Sequence, residues 1–152
     1  MGELKKAGFT LCLGLALFAV AGFGGSKNST PARGLESEVA RHIAVLKSGK
    51  AQQKAAAAYW LGQQRSAASV AVNTLVELLG DATEVNSAEY RLRRLDKMTL
   101  GEEVAAALVN IGSPSIEPLI KVLKTSPQPE ARKNAAWALG ALHDTGATAN
   151  QI

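Results

Sequence analysis

The chemically richest stretch of this sequence runs from Tyr90 to Lys97, where Arg91, Arg93, Arg94 and Lys97 alternate with Tyr90, Leu92 and Leu95. Four cations could hold an anion or an acidic protein surface. With a stacking phenol beside them they are also the parts a nucleic-acid contact needs. The same residues fit a short amphipathic helix capped by Asn86, with Leu92 and Leu95 inward and the charges solvated, which is the commoner fate of a charge run.

Other reactive groups are sparse. The sequence holds one cysteine, Cys12, and two histidines, His42 and His143. A single cysteine excludes a disulfide framework and a cysteine-based zinc site. Neither histidine has a second histidine or a cysteine near it in sequence, and no acidic pair stands in a pocket-forming context. Gly22-Phe23-Gly24-Gly25 is not a phosphate-binding loop, since it closes an apolar N-terminal stretch. No catalytic residue, metal ligand or cofactor is therefore expected.

Composition narrows the class. The 152 residues fit one domain. An apolar share of 47% is too high for a fully disordered chain. Aromatics make up only 5%, so the core must be assembled from small aliphatic side chains. The net charge of +4 is too mild to imply a polyanionic partner.

The N-terminus reads as a targeting segment. Lys5 and Lys6 precede an uncharged stretch from Ala7 to Gly25, and Ala19-Val20-Ala21 places small residues where a signal peptidase reads before cutting. Cleavage after Ala21 leaves a cysteine-free chain, which suits an oxidising compartment. Retention makes residues 7–25 a membrane anchor, since about 20 apolar residues cross a bilayer. The expected organisation is a signal peptide or anchor over 1–21, a linker over 22–34, a helical domain over 35–145 and a tail over 146–152. The protein is accordingly expected to be exported, to the periplasm or beyond the cell, or held at a membrane.

From residue 35 onward apolar residues recur at helical spacing and no stretch alternates like a strand. Leu35, Val39, Ile43 and Leu46 share a face that ends at Ser48-Gly49. Lys50 to Gln63 is an Ala-rich helix, followed by one capped by Ser66 with a stripe of Val72, Leu75, Val76 and Leu79. Thr99-Leu100-Gly101-Glu102 is a capping box opening a fourth helix. Gly112-Ser113-Pro114 separates it from a fifth, with Ser113 as cap and Pro114 at the first helical position. Gln128-Pro129-Glu130 opens a sixth.

A phrase recurs: Ala55-Ala56-Ala57-Ala58-Tyr59-Trp60-Leu61-Gly62, then Val104 to Gly112, then Asn134-Ala135-Ala136-Trp137-Ala138-Leu139-Gly140. Alanine lets the first helix of each pair approach its neighbours closely, and the second helix adds a Leu/Ile ridge. One such hairpin cannot bury its faces alone, so hairpins stack into a solenoid. Trp60 and Trp137, each just before Leu-Gly or Ala-Leu-Gly, are expected to pack between neighbouring hairpins.

The sequence resembles HEAT repeats, especially the short HEAT-like type of phycobiliprotein lyases. Ile111 to Leu123 and Pro129 to Gly140 carry the resemblance most closely. It implies an all-α solenoid whose second helices line a concave face, and so nominates Asn73, Glu77, Glu117, Lys121 and Lys124 as groove residues, with Arg91, Arg93 and Arg94 as further partner contacts. Their mixed charge suits a protein or peptide better than DNA, which wants a continuous basic stripe. The implied role is a non-catalytic scaffold. The resemblance also permits a lyase or lyase accessory, for which neither a ligand cleft nor a proton-handling residue is evident.

Two departures carry expectations of their own. Residues 80–98 are an insert in the first full repeat, and such inserts map to loops on one face, often a binding face. The third repeat lacks room for its second helix, so an apolar flank near Trp137, Leu139 and Leu142 is expected to be uncovered and available for self-association or docking.

Overall fold

A computed structural model describes residues 31–91 and 98–146. Its first helix, α1 (Pro31–Ser48), buries Val39 and Leu46 and half-buries Leu35 and Ile43, the four positions of the sequence stripe. It starts at Pro31, so residues 31–34 form its first turn rather than linker. Proline fits there because the first helical N–H has no intrahelical acceptor to lose.

In α2 (Ala51–Gln63) the backbone N–H of Lys50 donates to Gln53 Oε1 at 2.9 Å, which satisfies one group at the helix start. Ala55, Ala57, Ala58, Leu61 and Gly62 are buried. They face more than one side because α2 lies between α1 and α4 (Leu100–Ile111). Small side chains make that contact close: a Cβ added at Gly62 would sit 3.0 Å from Ala107 Cα and 3.3 Å from its Cβ.

The third helix differs from expectation. The chain turns at Arg65, which has φ 56°, then runs as a 3-10 helix over Arg65–Ala71 before a short α3 (Val72–Val76). Ser66 therefore lies inside a helical turn and is not its cap. Ser66, Ser69, Val70 and Val72 are weak helix formers, so packing rather than propensity fixes this segment. Val72, Leu75 and Leu79 of the stripe are buried, whereas Val76 is only half-buried.

The insert is framed by a two-residue antiparallel ladder, β1 (Glu84–Val85) on β2 (Met98–Thr99), the one strand pairing among the described residues. Thr99 then caps α4: its Oγ1 accepts from the Glu102 N–H at 3.3 Å, and Glu102 Oε2 accepts from the Thr99 N–H at 2.9 Å. Gly112 takes φ 90°, which glycine tolerates. A 3-10 turn over Ser113–Ser115 leads into α5 (Ile116–Thr125), so Ser113 starts that turn instead of capping it from outside. Finally α6 (Pro129–Asp144) has Gln128 as N-cap and Pro129 at its first position.

The packing is a two-layer array. α2 rests on α4 and α4 on α6, forming one row; α1, the 65–76 segment and α5 form the other, with α1 on α2 and α5 on α6. Leu61, Leu75, Leu100, Leu108, Leu119 and Leu142 are fully buried between the rows. The chain is an all-α solenoid of stacked helical pairs. Gly140 lies on the exposed side of α6, and a Cβ there meets nothing within 4 Å. Gly140→Ala is therefore expected to raise stability by up to about 1 kcal/mol through helix propensity, read from the urea midpoint.

Candidate protein-binding groove

The second row leaves a groove between α3 and α5. Asn73, Val76 and Glu77 form one wall; Glu117, Pro118, Lys121 and Val122 form the other, with Thr125 and Ser126 lining it as well, and the open groove has a volume of about 600 Å³. Asn73 and Glu77, like Glu117 and Lys121, stand four residues apart and so share a helix face. Val76, Pro118 and Val122 make an apolar floor beneath charged rims. The ion pairs of the described surface, Arg41–Glu38, Lys133–Glu130 and His143–Asp144, engage neither Glu77, Glu117 nor Lys121. Thus four nominated residues meet at one place. Lys124 is exposed on α5 but outside the groove lining.

A second hollow of about 360 Å³ opens between α1 and the 65–71 turn, lined by Leu35, Glu36, Val39, Ala40, Ile43, Ala67 and Val70. It is apolar apart from Glu36, and Val70 on its edge is 71% exposed.

Arg91 requires a correction. It does not offer its guanidinium outward: Nε donates to Glu103 Oε2 at 2.9 Å and Nη2 to Oε1 at 2.6 Å, a bidentate pair with a carboxylate that is only 1% exposed. Tyr90 OH donates to the same Oε2 at 3.0 Å, and the guanidinium lies 4.8 Å over the Tyr59 ring. Burial lowers the affinity of Arg91 for its proton, but the Glu103 hydrogen bonds and charge outweigh it and leave the guanidinium above its ordinary range. Burial first, and then Glu103, push the Tyr90 phenol well above its usual value. The guanidinium and the phenol therefore both keep their protons over the whole physiological range. Arg93 and Arg94 lie outside the described residues.

Sequence reasoning missed Glu103, although a signal was present. Leu100, Val104, Ala107, Leu108 and Ile111 form the buried face of α4, and position 103 falls on that same stripe. An acid among those apolar residues must find a buried cation. Asn86 does cap the turn it was assigned to, accepting from the Ala88 N–H at 3.2 Å, but the helix is a single 3-10 turn over Ser87–Glu89. Gln52 on α2 exchanges two hydrogen bonds with the Asn86 backbone, 2.8 and 2.9 Å. The insert thus braces α2 and α4, on the layer away from the groove.

The two tryptophans part ways. Trp60 stacks on His42, ring centroids 4.1 Å apart and 18° from parallel. Trp137 is 55% exposed, so it does not pack between hairpins; Leu142, expected beside it on the open flank, is fully buried. His42 Nδ1 is buried without a hydrogen-bond partner, and burial, then Arg41, lower its pKa from 6.5. A histidine less basic when folded releases protons on folding, so its stabilising contribution is complete above pH 6.5 and declines as pH falls below it. His42→Phe, which keeps a ring on Trp60, is expected to narrow the difference in melting temperature between pH 7.5 and 5.5.

Among the described residues no group of three or more His, Cys, Asp or Glu converges as a metal site, and no helix is long and apolar enough to cross a membrane. The targeting segment, residues 1–21, and Cys12 within it lie outside the described residues.

No curated protein and no solved structure matches the chain. Residues 111–142 match the Armadillo/beta-catenin-like repeat family, a span running from the last residue of α4 through α5 and most of α6. Both of the most HEAT-like stretches fall inside it, and the two repeat types share the stacked helical units seen throughout this chain. What this match and the two-layer packing establish together is a helical-repeat protein.

Proposed function

We propose that the protein is a non-catalytic interaction module of the HEAT-like kind, which binds another protein along the α3–α5 groove. The observation that carries this reading is the groove itself, where an apolar floor stands with rim charges that form no ion pair among the described residues. Helical-repeat architecture supports it, because stacked repeats present long continuous surfaces that reward extended partners. A photo-crosslinking residue in place of Lys121 is expected to give discrete adducts in cells, while the same residue at exposed Gln53 on α2 gives none. Equal labelling from both positions counts against the reading.

Two finer parts of the proposal have their own tests. The protein is exported or membrane-anchored through residues 7–25, so mass spectrometry of the chain from fractionated cells is expected to find it outside the cytoplasm, beginning at Gly22 if cleaved. Trp137 offers a self-association surface; Trp137→Ser is expected to abolish any concentration-dependent dimer seen by light scattering. A cytoplasmic chain, or a dimer unaffected by the substitution, removes the corresponding part.

A further inference from the structure

The two hollows share one ridge. Val70 borders the apolar hollow, whereas Asn73 and Glu77 border the charged groove. Residues 70, 73 and 77 follow one another at helical spacing, and all three are exposed. They mark a single outward stripe along the 65–76 segment, so α1, this segment and α5 present their openings on the same layer.

We propose that the two hollows form one track for an extended segment of a partner protein, which seats an aliphatic side chain against Ile43 and Val70 and carries a basic side chain to Glu77 and Glu117. This rests on the interaction-module reading and adds the chemistry of the partner. The first hollow accepts only apolar atoms along most of its wall. In the groove two carboxylates outnumber one lysine, and none of the three is committed to an ion pair among those described, so a cation is the complementary charge. Val70 and Glu77 are seven positions apart, roughly 11 Å along the ridge at about 2 Å per residue in the 3-10 part and about 1.5 Å in α3. An extended chain covers that in about three residues. The recognised pattern is therefore an aliphatic residue followed, or preceded, by Lys or Arg three or four positions away.

The test selects a phage-displayed random dodecapeptide library on the immobilised full chain, then measures one enriched synthetic peptide by fluorescence anisotropy. Enriched peptides are expected to pair an aliphatic with a basic residue at that spacing. Val70→Asp and the double change Glu77→Lys with Glu117→Lys are each expected to weaken binding by about tenfold or more. These positions are exposed, and unchanged circular dichroism will show that the variants stay folded. Enriched peptides that bind both variants as well as the parent overturn the track and leave the interaction module standing. Recovery of no peptide above background overturns both.

Discussion

Replacing Arg91 by methionine is expected to destabilise the protein by about 3–5 kcal/mol. Among the described residues the substitution leaves Glu103 buried with only the Tyr90 hydroxyl as a donor from the insert, and an uncompensated carboxylate in that setting is among the most costly single defects. For a chain of this size the melting temperature should fall by on the order of 10 °C. Urea denaturation of the parent, Arg91→Met and a double variant that also carries Glu103→Leu separates two explanations. If the defect is the stranded charge, the double variant recovers most of the loss, because an apolar pair of similar volume commonly replaces a buried ion pair at little cost. Should both variants be equally weak, the bidentate geometry itself holds the insert in place.

Gly101→Ala is expected to cost about 1–3 kcal/mol, against the direction that helix propensity alone dictates. Gly101 lies in the first turn of α4, where alanine would ordinarily gain up to about 1 kcal/mol. Here an added Cβ would stand 2.5 Å from the Leu79 carbonyl oxygen and 2.8 Å from Asn134 Nδ2. Those two atoms are hydrogen-bonded to each other at 2.8 Å, and Asn134 is buried on α6. The Gly101 N–H also donates to the Asp81 carbonyl at 2.9 Å. The methyl group would press the turn after α3 away from α4 and open the bond that ties it to α6. The opposite signs expected at Gly101 and Gly140 separate close packing from intrinsic propensity in a single pair of measurements.

Much of the fold was legible because the core depends on periodicity. The stripe of α1, the capping box at Thr99 and the proline at the start of α6 each have a local cause that leaves a local mark. The third helix was placed correctly by its buried Leu75 and Leu79, but its true form, a 3-10 run and one short α-turn, depends on packing that spacing does not encode. The same holds for the groove. Asn73, Glu77, Glu117 and Lys121 could be nominated from their places on second helices, whereas Arg91 could not be distinguished from a solvated arginine without knowing that Glu103 faces it from 12 residues away. Trp137 shows the converse: a repeat position that suggests burial only has that outcome when a neighbour covers it.

The insert also has a mechanical consequence. Through Gln52, Tyr59 and Glu103 it ties α2 to α4, while the turn after α3 ties α4 to α6, since its Asp81 carbonyl accepts from the Gly101 N–H and its Leu79 carbonyl from Asn134 Nδ2. Pulled end to end, the array should therefore resist extension at both junctions of its outer row, because separating either pair of helices breaks polar links as well as apolar contacts.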